Sequence, residues 1–240
     1  ASDLLRDDER FGGRVKASYF SNDGTRYSGS VYGKLNEDWG VLGYYSTSDR
    51  DNMEDGDGNE IYGTAADQDL LFVKASGNLT ENQYASLSYE KREEEGEFSA
   101  RPNWVVLEGA ALYPSEAERD TLVANYRLDY SAMVYLEATA YNTSSSFRGG
   151  RFDWLANIDT YGFDIRNTSE TTNHVFTYGV DYRNDEVESG PAEGAVENAE
   201  EGSVLGVYAQ AHSAINPELT LSYGVRFDDY DFQQDILLDE

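Results

Sequence analysis

The chain has 240 residues, with 46 acidic and 18 basic side chains, a net charge of −28 and no cysteine. Such a charge turns nucleic acid away, and without cysteine there is no disulfide, thiolate metal site or cysteine nucleophile. Mean hydropathy is −0.66 and no apolar run nears the roughly 18 residues of a membrane helix, so only strands could cross a bilayer.

Residues 1–12 are polar and charged and read as a linker. Ala1-Ser-Asp-Leu-Leu5 has neither the basic start nor the apolar stretch of a signal peptide. Eleven runs of alternating residues follow, and the pattern predicts strands over 13–21, 25–35, 39–50, 67–79, 83–95, 118–129, 133–148, 159–169, 173–184, 203–214 and 218–231. In the last run Leu219, Leu221, Tyr223, Val225 and Phe227 share one face, while Thr220, Ser222, Gly224, Arg226 and Asp228 share the other. Most of the tyrosines fall in these runs, as suits strands and membrane interfaces.

The connectors alternate in length. Segments 36–38, 80–82, 130–132, 170–172 and 215–217 are tight, with Asn, Asp, Ser, Thr or Pro to turn the chain. Opposite them lie 22–24 and four long loops, 51–66, 96–117, 149–158 and 185–202. All four prolines, Pro102, Pro114, Pro191 and Pro217, are expected in connectors. Tight turns at one end of a meander and long loops at the other are the signature of an outer-membrane barrel. A sandwich would mix the two.

The loops carry the candidate chemistry. Asp55, Asp57, Asn59 and Glu60 place hard oxygen ligands at spacings that suit Ca²⁺, although Glu60 stands where an EF-hand has its glycine. A structural Ca²⁺ in loop 51–66 is therefore one expectation, and a flexible polar tip is the other; no further cofactor is required. Tyr62, Arg101, Trp104, Tyr113, Arg148, Arg151 and Trp154 pair aromatics with guanidinium groups and could grip a flat anionic ligand, or pack their own loops together. His174 and His212 have no partner at a metal-ligand spacing. Thr160-Tyr-Gly162 could suggest a fluorescent can, but it opens an alternating strand rather than a helix. No catalytic constellation stands out, and the chain does not read as an enzyme.

Three stretches carry a resemblance. Phe11-Gly-Gly-Arg-Val-Lys16 after a charged linker resembles the passage from plug to first barrel strand in TonB-dependent outer-membrane receptors. Asp49-Arg-Asp-Asn-Met-Glu-Asp-Gly-Asp-Gly58 resembles an early extracellular loop of the haem and siderophore members. Val207-Tyr-Ala-Gln210, followed by Asn216-Pro-Glu-Leu-Thr-Leu-Ser-Tyr-Gly-Val-Arg-Phe-Asp228, resembles a recurrent hairpin of the family. The likeness spans residues 10–231.

The resemblance implies an all-β antiparallel up-and-down meander of about 11 strands, half of a 22-stranded transmembrane β-barrel. Residues 1–12 would be the plug-to-barrel linker and 13–240 a partial barrel. The family implies a bacterial outer-membrane importer of a ferric siderophore or haem. Its partners would be outer-membrane lipid, the plug domain of the parent chain, and TonB acting through that plug. Arg26, Ser28, Ser30, Lys34, Asn125, Arg127, Glu137, Thr139 and Arg226 would line the lumen. The competing expectations are a passive porin or adhesin-like barrel without plug, and a soluble β-barrel binder.

Overall fold

The computed structural model describes residues 5–6, 8–21, 24–99, 109–194 and 196–236, and among these no residue is helical. One sheet holds eleven strands: β1 (Phe11–Phe20), β2 (Gly24–Lys34), β3 (Trp39–Arg50), β6 (Ala66–Thr80), β7 (Gln83–Phe98), β8 (Tyr113–Ser131), β9 (Val134–Gly149), β10 (Trp154–Glu170), β11 (His174–Pro191), β12 (Asn198–Asn216) and β13 (Leu219–Ile236). A second, two-stranded ribbon, β4 (Met53–Glu54) with β5 (Glu60–Ile61), sits within the β3–β6 connector. Each long strand pairs antiparallel with its sequence neighbour, and β1 and β13 form the two edges.

All eleven predicted strands are present, but most run longer than expected. Loop 149–158 shrinks to 150–153 and loop 185–202 to 192–197, because β11 continues to Pro191 and β12 starts at Asn198. Loop 96–117 shortens at both ends, since β7 reaches Phe98 and β8 starts at Tyr113. Acid-rich sequence looked like loop, yet Glu186 and Glu188 are laddered to Glu201 and Ala199. A strand standing clear of hydrocarbon needs no apolar face, so composition hides it. Pro114 and Pro191 are strand residues, not connector residues. Each lies beyond the last residue pair on one side of its strand (Glu116↔Arg148 and Ser189↔Asn198), where a missing N–H breaks no ladder. Pro102 lies outside the described residues. β1 begins at Phe11, inside the span expected to be linker.

The tight turns are held by the side chains expected to make them. Asn36 Oδ1 accepts from the backbone N–H groups of Asp38 (2.9 Å) and Trp39 (2.8 Å), and Asn216 Oδ1 accepts from that of Glu218 (3.0 Å). At the same end the register shifts by one residue at Asn78/Thr80, Asp129/Ser131 and Ala214/Asn216, bulges that sharpen the local twist.

Opposed residues in a ladder share a face, so the register sorts every side chain. Phe227, Val207, Val180, Ile165, Ala138, Tyr126, Ala85, Gly77 and Trp39 form one continuous row. This face is bare: Val15 is 89% exposed, Phe11 83% and Val225 72%. Its apolar runs, Phe11–Tyr19 on β1 and Leu219–Phe227 on β13, are each nine residues long. At about 3.3 Å per residue and a barrel tilt, nine residues span about 25 Å, the height of an outer-membrane apolar band.

That band climbs across the sheet. Tyr27 on β2 lies in the row that ends at Asp235 on β13. Tyr45 lies in the row of Gln233, Tyr89 and Tyr161 in the row of Asp231, Tyr182 in the row of Asp229, and Phe227 closes the series. The aromatic rim thus drops eight residues over nine strand steps, close to one residue per step. With strands about 4.8 Å apart, that stagger tilts each strand by roughly 30–35°, near the range of closed barrels.

Candidate functional site

Charge divides across the wall. Asp49, Asp67, Asp69, Glu93, Glu95, Glu97, Glu116, Glu118, Asp120, Asp159, Glu186, Glu188, Glu201, Asp229, Asp231 and Asp235 lie on the apolar-band face, above the band, against only Lys91 and Arg148. Rim tyrosines reach up to this acidic zone: the Tyr45 hydroxyl donates to Asp69 Oδ1 at 2.6 Å, and that of Tyr89 donates to Asp120. Ring in the band and hydroxyl above it is the placement a membrane interface favours.

The opposite face holds most of the bases. Arg226 binds Asp181 through two guanidinium nitrogens (2.7 and 2.9 Å) and also meets Asp228 at 2.6 Å. Arg166 bonds Glu137 at 3.0 Å, and the Tyr208 hydroxyl donates to Asp164 at 2.9 Å. All nine residues expected to line the lumen fall on this face, Arg127 among them, packed over the Tyr84 ring at 5.1 Å. Three glycines here are roofed by the tyrosine directly opposite: Gly12 by Tyr32, Gly162 by Tyr141 and Gly179 by Tyr208. The ring supplies the packing a glycine lacks.

At the long-connector end, the hairpins lean on one another. A Cβ on Gly63 would meet Leu112 at 2.9 Å, and one on Gly149 would strike Ser115. The backbone N–H of Ala192 donates to Asp153 O at 2.8 Å. Loop 51–66 is ordered by the β4–β5 ribbon. At its tip Asp55 Oδ1 accepts from the N–H groups of Asp57 and Asn59, both at 2.9 Å, and Asp55 Oδ2 accepts from the Asn59 side chain at 2.9 Å. The Asn59 amide and these N–H groups hold the Asp55 carboxyl below its ordinary value. Glu60 turns away to accept from the Asn52 amide at 2.8 Å. Among the described residues no three His, Asp or Glu side chains converge as metal ligands would.

The expected ligand grip is split by the wall. Arg148 lies on the outer face and is clamped to Asp153 at 2.8 and 2.7 Å, which lowers the Asp153 carboxyl; Asp153 itself adopts a left-handed backbone, φ 48°. Arg151 covers the Phe152 ring at 5.6 Å. Tyr113 and Trp154 face the lumen, where Phe98 stands opposite Tyr113. Tyr62 lies in the β5–β6 connector, while Arg101 and Trp104 lie outside the described residues.

Sequence reasoning missed the lumen-side cleft below this rim, about 330 Å³, lined by Arg92, Ala117, Arg119, Phe147, Ala156 and Ile158. Its signal was the parity of Phe147 and Arg119, but Ala117, Ala156 and Ile158 fall in two stretches expected to be long loops. His174 stacks on Phe176 at 5.7 Å and meets Ser213 at 2.8 Å, while His212 meets Ser222 at 2.8 Å, so both are held within the sheet. Thr160-Tyr-Gly162 lies within β10.

No family model and no curated protein matches the sequence. Solved structures do match. The FrpB iron transporter from Neisseria meningitidis (F3-3 variant) superposes with a TM-score of 0.84 at 19% identity, over 94% of this chain and 41% of that one. The Serratia marcescens hemophore receptor HasR, solved with its hemophore HasA and heme, gives 0.81 at 22% identity, over 95% and 35%. The alcaligin outer-membrane receptor FauA from Bordetella pertussis gives 0.70 at 14% identity, over 95% and 37%. The chain spans about two fifths of the length of such proteins, and its fold matches that part of theirs.

Proposed function

We propose that the chain is part of the wall of a bacterial outer-membrane importer. The observation that carries the reading is the bare apolar band, about 25 Å high, rimmed by a climbing line of tyrosines and backed by a charged, hydrogen-bonded inner face. A soluble barrel would hide that band inside.

In this reading the long-connector end faces outward and captures a scarce ligand, an iron chelate or haem. Tyr113, Trp154 and the cleft around Phe147 make the first contacts on the lumen side. A plug domain fills the lumen, and TonB, pulling on that plug, opens the path. The chain binds and orients its cargo and breaks no bond. Uptake of a ferric chelate or haem by cells carrying the complete receptor tests it. Uptake should stop when TonB is removed; uptake that persists favours a passive pore.

A Ca²⁺ ion in loop 51–66 belongs to the same proposal, and it would have to draw Asp55 away from the N–H groups it now holds. Protease nicking near Asp55 with and without millimolar Ca²⁺ decides that point. Unchanged cleavage leaves Asp55 as a turn cap alone.

A further inference from the structure

In the lumen-facing half of the ladder, the even-numbered positions of β1, β2, β3 and β6 carry Arg14, Lys16, Arg26, Lys34, Arg50 and Lys74, and no acid. From β7 to β13 five of the six inner arginines, Arg92, Arg119, Arg166, Arg183 and Arg226, have carboxylate partners within 3.3 Å, and the sixth, Arg127, packs over the Tyr84 ring. In the first quadrant, none of Arg14, Lys16, Arg26, Lys34 and Lys74 makes an ion pair among the described residues. Two of these bases, Arg14 and Lys16, sit on an edge strand. The pattern does not depend on them: Arg26 is flanked in register by Ser18 and Ser48, and Lys74 by Leu42 and Ser88. Hydroxyls fill the gaps. Tyr44 is hydrogen-bonded to Ser46 and Ser28, with Arg26 and Lys16 close by.

A chain with 46 acids and 18 bases has no shortage of carboxylates to offer these cations. Grouping them with hydroxyls, with no acid at the inner positions of their own four strands, costs mutual repulsion, which an arriving anion relieves. Ammonium, guanidinium and hydroxyl donors together suit clustered oxyanions. We propose that this quadrant of the inner wall is a binding surface for a small polyanion bearing carboxylates or phosphates. The proposal rests on reading this face as the lumen and assigns an anionic class to what passes along it.

Citrate is the probe, titrated calorimetrically into the full chain in a nonionic detergent at low and at physiological salt, with sucrose as the neutral comparison. Citrate should bind, sucrose should not, and affinity should fall as salt rises. Exchanging both interior bases, Arg26→Gln with Lys74→Gln, should weaken citrate roughly tenfold or more. Lys91→Gln on the outer face should change nothing, and Arg26→Lys with Lys74→Arg, which keep the charge should a Gln variant misfold, should retain binding. Absence of citrate binding, or equal binding by the Gln pair, overturns the proposal. So does a Gln pair that lowers the melting temperature while citrate has no effect, since carboxylates of the polypeptide itself would then occupy the quadrant. Loss of TonB dependence with citrate binding intact would strike the import reading and leave this one standing.

Discussion

Asp55 shows how one side chain sets the form of a loop. Its two oxygens close the β4–β5 tip onto Asp57 and Asn59. Because the folded carboxyl is held below its ordinary value, its contribution is complete above about pH 4 and is lost as pH falls through the lower, folded value. Hydrogen exchange at the Asp57 and Asn59 amides should therefore stay protected at neutral pH and open only in acid. Asp55→Ala should expose both amides at neutral pH, while Asp55→Asn, which keeps an acceptor, should retain part of the protection. A second residue-scale case is Gly179, whose added Cβ would stand 2.7 Å from Ile165 O and 2.8 Å from the Tyr208 hydroxyl. Gly179→Ala should destabilise the barrel by about 1–3 kcal/mol, measured by denaturant unfolding in lipid.

At the scale of the strand, parity decides what a substitution costs. Val225 stands within the exposed band, one outward-facing residue from its centre at Tyr223, so Val225→Arg should cost about 2–4 kcal/mol in lipid. Thr220 points the other way, and Thr220→Arg should cost under about 1 kcal/mol. Equal costs would mean that the band faces inward. Glu137, although on the inner face, is a poor neutral control because it holds Arg166 at 3.0 Å. Parity was also the legible part of the sequence: alternation along the chain, as in Leu219–Phe227, and Asn, Thr or Ser at the tight turns located every strand of the main sheet. Strand ends were not legible, because Glu186, Glu188 and Glu201 stand in water, where a ladder needs no hydrophobic partner. Arg148 stands among the residues expected to grip a ligand or pack a loop, and nothing in sequence spacing reveals that a left-handed Asp153 turns back to clamp it. Trp154 and Arg148 seemed neighbours, yet a strand's two faces put them on opposite sides of the wall.

For the molecule as a whole, the net charge of −28 is a map rather than a sum. The outer acids lie in adjacent rows, and like charges set side by side repel. Divalent cations should quiet that repulsion at far lower concentration than sodium does. The melting temperature in detergent should rise with millimolar Mg²⁺, and it should rise less when Asp67, Asp69 and Glu93 are replaced by their amides. An unchanged melting temperature would mean that the acids are already far enough apart to ignore one another.

The length of the strands has a last consequence. β11 runs nine residues past Tyr182, to Pro191. At the tilt set by the stagger, that is about 24 Å of paired wall standing above the hydrocarbon. Along this part of the wall the β9–β10 and β11–β12 connectors at the lip are only four and six residues long. An antibody or a phage tail fibre would meet a ribbed, negatively charged face along these hairpins. A protease would find little purchase on that paired stretch.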